Sequence, residues 1–377
     1  MARQEQQMAN PVMVNAQMRA MLLQTGIPQE KNLGTFTETA LGRTTRIKLF
    51  NVGVTTKLLL DVTAAVTIAT TVGVASAKAP YNLISRIRVN DYDGADRVNV
   101  SGFQLFFMNC MRARQFVGYA NSAATAVYTN PKVPTAVATD NIQFQLEIPL
   151  AYDVSNPVIQ LRDLRGAMMM QTAVGEAYLT IDWASTLLVA GDVDAVYTSG
   201  TTISLAAAGI QCTVFQSFIM PQAVGENQMV PLPQIDLMTV YMLDGYLRSS
   251  DNLAVGQDKL ISLPNLRQVI RTYLSYVQAT TMTQGKIDYL RILANGSNLL
   301  IDRTERVQLY EQRKMLDGDF VAGSYCIDHS AKPIETALYG NVQLVVRPNT
   351  VGATPYCEIG YEHFYTKGQA LPGVLNS

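Results

Sequence analysis

The chain has 377 residues, of which 48% are hydrophobic and only 16% charged, with a formal net charge of −1. That length exceeds what one core ordinarily serves, so two folded bodies are expected, and the apolar content excludes a disordered chain. With near-zero charge and no long Lys/Arg run, a partner gripped by phosphate neutralisation is excluded, and no direct specific nucleic-acid binding is expected.

The first 25 residues lack the continuous apolar stretch of a secretory signal. After Pro11, Val14, Met18, Met21 and Leu22 recur at helical spacing and Gly26 stands as a stop. This predicts a short amphipathic helix outside the main fold, within an arm of residues 1–33. From Gly34 the texture changes to strands. In "RIKLF" Ile47 and Leu49 alternate with Arg46 and Lys48; in "IQFQLEI" Ile142, Phe144, Leu146 and Ile148 alternate with Gln143, Gln145 and Glu147. "YLTIDW" puts Leu179, Ile181 and Trp183 on one face, and "NVQLVVR" sets Val342, Leu344 and Val346 against Asn341, Gln343 and Arg347. Period-two alternation is the mark of a half-buried strand. Only 103–114 and 306–316 read clearly as helices in the body, with a third candidate at Leu237–Leu247. The charge-free window between Asp194 and Glu226 reads as a polar loop and a strand, since a membrane span needs about 20 predominantly apolar residues.

The two helices sit in the same setting. "RIRVNDYDGADRVNV" precedes the first and "DYLRILANGSNLLID" the second, each a strand, a turn and a strand. Three more strands follow each helix: 142–148, 177–183 and 210–218 in the first half, 324–328, 341–347 and 357–365 in the second. The order therefore occurs twice. The first half carries long small-residue insertions, "FVGYANSAATAVYTNPKVPTAVATD" and "AGDVDAVYTSGTTISLAAAG". The proline-rich stretch 220–236 marks the boundary. Many short strands with few helices define an all-β chain, expected as two tandem eight-stranded jelly rolls. The division is 1–33 helical arm, 34–225 first jelly roll, 226–366 second jelly roll and 367–377 C-terminal arm.

No motif points to chemistry. Cys110, Cys212, Cys326 and Cys357 are scattered, unlike zinc or redox cysteines, and read as buried free thiols of a protein made in a reducing cytoplasm. His329 and His363 lack a partner at motif spacing and read as structural. "DYDGAD" (91–96) departs from a calcium loop at Ala95 and Gly94 and reads as a hairpin turn. "NGS" (295–297) reads as a tight turn rather than a glycosylation acceptor. Glu358 and Glu362 share a strand face roughly 13 Å apart, beyond the spacing of a glycosidase pair, and are expected on a solvent face or subunit contact. No catalytic residue, metal ligand or cofactor is expected.

"KPIETALYGNVQLVVRPNTV" (332–351), "GYEHFYT" (360–366), "SGFQLFF" (101–107), "IPLAY" (148–152) and "VPLPQIDLMTVY" (230–241) together resemble the double jelly-roll major capsid protein of tectiviruses. The resemblance runs in order from about Gly34 to Tyr365. It implies a bacteriophage capsid subunit, not an enzyme, that forms homotrimers of pseudo-hexagonal outline tiling an icosahedral shell around an internal membrane. It also implies neighbouring trimers, minor and vertex capsid proteins as partners, and a virion location after synthesis in the bacterial host cytoplasm. The N-terminal arm, with Arg3 and Arg19, is then expected to face the membrane. The alternatives are a tandem jelly-roll carbohydrate-binding or glycan-active protein, which needs clustered carboxylates and exposed aromatics, and a phage spike, which needs fibrous repeats.

Overall fold

A computed structural model describes residues 26–92, 94–114, 131–155, 162–170, 175–221, 239–249, 253–278, 281–316, 318–352 and 354–366. The N-terminal helix expected over 12–24, the boundary stretch from 222 onward and the C-terminal arm lie outside these residues. The strands fall where alternation places them. Ile142, Phe144, Leu146 and Ile148 are buried along Thr139–Pro149, as are Leu179, Ile181 and Trp183 along Tyr178–Trp183.

Three sheets carry the fold. In the first, Ile27–Glu38 pairs with Ile203–Met220, which pairs with Val54–Ile68; Thr139–Pro149 and Met168–Met169 also pair with Val54–Ile68. A smaller sheet in the second half runs Lys259–Ser262, Val342–Pro348, Ile287–Ala294, Asn298–Thr304. Both pack on one nine-stranded sheet, whose path is Ser324–Asp328, Gln268–Val277, Tyr356–Thr366, Thr239–Ser249, Asp96–Val100, Ile84–Asn90, Tyr178–Trp183, Thr44–Lys48. The first half of the chain therefore makes one jelly roll, the second half another, and a single sheet runs through both. The join is a parallel pairing of Leu243, Asp244 and Gly245 with Val98, Asn99 and Val100.

The duplicated order is present: Ile84–Asn90, Asp96–Val100 and helix Gly102–Ala113 match Ile287–Ala294, Asn298–Thr304 and helix Glu305–Leu316. Both short turns form as expected. Gly94 in the first has φ +83°, and Asn295 and Gly296 in the second have φ 52° and 74°, left-handed values that Gly and Asn adopt most readily.

Two expectations are corrected. The helix candidate at Leu237–Leu247 is the strand Thr239–Ser249, because antiparallel pairing with Tyr356–Thr366 on one side and the parallel join on the other override its local pattern. The strand texture also starts earlier than Gly34: Ile27–Glu38 is one strand, registered from Ile27 opposite Met220 to Glu38 opposite Ile210.

The Gly102–Ala113 helix is buried from Gly102 through Met111, as befits one that is apolar nearly all round. It lies against the face of the nine-stranded sheet that the second small sheet leaves free, with Phe107 edge-on to Tyr273 at 5.2 Å and stacked on Phe320 at 4.5 Å. Gln104 fits a notch made by two glycines. A Cβ on Gly360 would lie 2.1 Å from Gln104 Oε1 and 2.7 Å from Met108 Cε; one on Gly245 would lie 2.4 Å from Gln104 Oε1. Since Gln104 is fully buried, it has nowhere to retreat. Gly360→Ala is therefore expected to destabilise the protein by about 1–3 kcal/mol, the usual cost of overpacking. A denaturant melt reads this, and adding Gln104→Ala is expected to recover part of the loss.

Candidate functional site

Two clusters of buried charge lie where the jelly rolls meet. Lys78, from the first jelly roll, is 2% exposed. Its Nζ donates to Asp194 Oδ1 at 2.8 Å, Glu358 Oε2 at 2.7 Å and Tyr356 Oη at 3.2 Å. Tyr356 donates to Asp194 at 2.7 Å. Ser101, the N-cap of the buried helix, accepts from Gln104 N and donates to Glu358 Oε1 at 2.7 Å. Asp194 and Ser101 belong to the first half, Tyr356 and Glu358 to the second, so the hydrogen bonds close a ring across the joint. Burial works against the Lys78 charge, but Glu358, Tyr356 and Asp194 more than offset it and hold its pKa above the ordinary lysine range.

The second cluster centres on Glu362, which is fully buried. Tyr241 donates to its Oε1 at 2.6 Å, while Arg271 Nη1 at 2.7 Å and Tyr273 at 3.0 Å donate to Oε2. Arg112, from the buried helix of the first half, approaches to 3.7 Å, and Arg271 also pairs with Asp328 at 3.2 Å. Burial raises the Glu362 carboxyl, yet Arg271 and Arg112 outweigh it and hold the group below the usual carboxylate range.

The expectation that Glu358 and Glu362 lie on a solvent face or subunit contact is thereby corrected. Their strand face is polar, but it meets the Gly102–Ala113 helix and the first jelly roll rather than water. Lys78 and Arg271 were not singled out from the sequence. The available signal was a lone Arg in "VIRTYLSYV", a stretch otherwise uncharged and buried along its length, since an isolated charge there implies a buried partner.

The other candidates fall as follows. All four cysteines are free and buried, and Trp183 is a core residue. His329 and His363 are buried too, and burial pushes their imidazoles down to about 4 and about 3. Asp91 of "DYDGAD" pairs with Arg97 at 2.6 Å, and Arg97 in turn donates to Gly166 O at 2.6 Å, which ties the hairpin to its neighbours. Among the described residues no group of His, Cys, Asp and Glu side chains is placed to hold a metal ion. Arg3 and Arg19 lie outside the described residues.

Two features of the outer surface complete the site. Leu299 and Leu300 on the edge strand Asn298–Thr304, and Val307 and Tyr310 on the helix after it, are exposed. The register also sets several strand termini side by side at one end of the molecule. Ile27 pairs with Met220, Ile219 with Val54, Val54 with Met169, and Tyr241 N donates to Gly166 O beside Thr239, which pairs with Thr366.

Two jelly rolls fused through one sheet, with two clusters of buried charge spanning that joint, define a structural building block. Known proteins say which. Residues 6–220 match the P3 major capsid protein N-terminal family and residues 238–374 the P3 major capsid protein C-terminal family. The chain is 29% identical over 379 residues to major capsid protein P3 of Enterobacteria phage PRD1, covering 95% of this chain and 92% of that one. Solved structures share the fold: a chain of Sulfolobus Turreted Icosahedral Virus at TM-score 0.65 and 12% identity, covering 92% of each chain, and the major capsid protein P2 of bacteriophage PM2 at TM-score 0.52 and 12% identity, covering 91% of this chain and 99% of that one. The chain belongs to the P3 major capsid protein family. It is a double jelly-roll capsid protein of the tectivirus kind, a shell component of the virion and not an enzyme, and the carbohydrate and spike readings give way to that assignment.

The buried histidines set a pH dependence. Each is neutral in the folded chain down to about pH 4 and about pH 3, whereas the unfolded imidazole takes a proton below about 6.5. The unfolded state therefore binds more protons across this window, and stability falls as pH drops through it, by up to about 1.4 kcal/mol per unit for each histidine. Glu362, with its depressed pKa, adds a loss at still lower pH. Denaturant melts from neutral to mildly acid pH are expected to show this slope, and His363→Gln to flatten it.

Proposed function

We propose that the chain assembles as a homotrimer whose six jelly rolls give a pseudo-hexagonal block that tiles an icosahedral shell around an internal membrane. The continuous nine-stranded sheet carries this reading, because it makes each subunit one rigid pair of sandwiches. The exposed Leu299, Leu300, Val307 and Tyr310 support it: an apolar edge on a body with so little charge calls for cover, and cyclic symmetry supplies it. Neighbouring trimers and minor and vertex capsid proteins are the further partners, and synthesis takes place in the bacterial host cytoplasm.

In this reading the residues up to 33 and from 367 onward act as arms, with 34–225 and 226–366 as the two jelly-roll domains. The strand from Ile27 shortens the free part of the first arm. The strand termini set side by side at Ile27 and Met220 and at Thr239 and Thr366 support a common inner face, and Arg3 and Arg19 give the N-terminal arm charges suited to a headgroup surface.

Native mass spectrometry of the purified protein at micromolar concentration is expected to give a trimer, with Tyr310→Asp shifting it toward monomer; wild-type monomer alone contradicts the reading. Deleting residues 1–24 is expected to leave folded trimers but lower the yield of membrane-filled particles on a density gradient. Normal particles from the truncated chain mean that the arm is dispensable.

A further inference from the structure

Asp96–Val100 runs into the helix Gly102–Ala113 as Asn298–Thr304 runs into Glu305–Leu316. The helices start at Gly102 and Glu305, a spacing of 203 residues, and their bonds match at that spacing. Ser101 accepts from Gln104 N at 3.2 Å as Thr304 accepts from Val307 N at 3.5 Å; Asn109 donates to Glu147 O at 2.7 Å as Gln312 donates to Ser324 O at 3.1 Å. The same spacing sets Gln104 and Phe107, which lie against Gly245, Gly360 and Tyr273 of the second jelly roll, in correspondence with Val307 and Tyr310, which are 47% and 62% exposed. Ile301–Arg303 likewise corresponds to Val98–Val100, which makes the parallel join, but its strand ends the smaller sheet and has one edge free. We propose that a second copy of the chain docks here, repeating between copies the joint made within each one: the Asn298–Thr304 edge and the Glu305–Leu316 helix of one copy seat on the Ile27–Glu38 edge and the outer face of the first sheet of the next.

The receiving surface has the matching parts. Thr239–Ser249 pairs with the last strand of its half, and Ile27–Glu38 pairs with Ile203–Met220, the last strand of its own. Each carries a register break, between Asp244 and Leu247 and between Asn32 and Gly34, and the parallel join sits at the first of these. Ile27–Glu38 ends its sheet, so the corresponding edge is unpaired. Across the sheet, the row Glu147, Leu59, Phe215 corresponds to the row Cys326, Tyr273, Gly360, because Asn109 bonds the backbone at Glu147 and Gln312 that at Cys326. Leu59 and Phe215 are half-buried and alternate with the core residues Leu58, Leu60 and Val214, which turns them to the uncovered face. Phe107 packs on Tyr273 within a chain; Tyr310 packs on Leu59 and Phe215 between copies. Each copy offers one giving and one receiving surface, so the contact is head-to-tail and closes into a ring. The four-stranded sheet of one copy then continues into the five-stranded sheet of the next, a counterpart of the nine-stranded sheet inside each chain.

This docking rests on the trimer reading above, and the test separates the two. Tyr310→Cys and Leu59→Cys are combined in the full-length chain, whose own four cysteines are buried, and the protein is mildly oxidised. A disulfide-linked trimer is expected on a non-reducing denaturing gel, against monomer from either single variant. The wild-type trimer supplies an arm that needs no substitution and decides the matter if the double variant does not fold. Treated with an amine-reactive cross-linker, it is expected to yield peptides joining Lys314 to Lys57, whose side chains both reach solvent, in the linked-oligomer bands and not in the monomer band. A wild-type trimer by native mass spectrometry that gives neither product overturns the docking and leaves the trimer standing. Wild-type monomer alone overturns both.

Discussion

One short parallel pairing, Leu243–Gly245 against Val98–Val100, determines much of what surrounds it. By joining the sheets of two sandwiches edge to edge, it leaves the second half's strands with a free face once the small sheet has covered the other. That face cannot be left wet, because it carries Ile270, Tyr273 and Val277. The Gly102–Ala113 helix covers it, and so must itself be apolar nearly all round. The helix approaches closely enough that Gly245 and Gly360 are the residues that fit opposite Gln104. Polar side chains on the covered face have lost water and can be satisfied only by one another, hence the ring at Lys78 and the cluster at Glu362.

The two jelly rolls share an order of elements but not a set of environments. The second half's helix, Glu305–Leu316, stands where the first half's does in the topology, yet it lies on the outside. It buries only Glu305, Gln308, Gln312 and Leu316. Those positions tie the helix down through polar bonds: Glu305 accepts from Gly285 N at 2.8 Å, and Gln312 spans the backbone of Ser324 and Cys326. With no second sandwich pressed against it, the helix keeps a charged outer face, and its Val307 and Tyr310 remain exposed beside the edge strand. Duplication of a fold within one chain thus ends in two roles, one helix serving the joint and the other the outer wall.

How far the sequence could be read follows the same division. Strands with one face on a core and one toward water, such as Thr139–Pro149, declared themselves by alternation, and the turns at Gly94 and Asn295–Gly296 by their backbone demands. Gln268–Val277 did not, because a strand buried on both faces has no alternation to show. Thr239–Ser249 looked helical because its pairing partners are far away in the chain, and local propensity carries no record of them. Glu358 and Glu362 misled for a related reason. A polar strand face reads the same whether it meets water or a ring of opposite charges, and the Lys78 that distinguishes the two cases lies 280 residues away.

The buried charges also bear on what such a subunit requires. Ion pairs taken out of water seldom add much net stability over well-packed apolar residues of similar size. What they add is direction. Apolar surfaces tolerate small slides and rotations at little cost, whereas a lysine held by carboxylates from both sides, with each carboxylate also held by a hydroxyl, loses its bonds when the halves turn. A shell subunit is repeated many times, and a small angular error between its two sandwiches would recur at each copy and spoil closure. A catalytic site needs its geometry fixed at a few atoms. A wall block needs it fixed across its whole width, and in this chain that constraint falls on the joint.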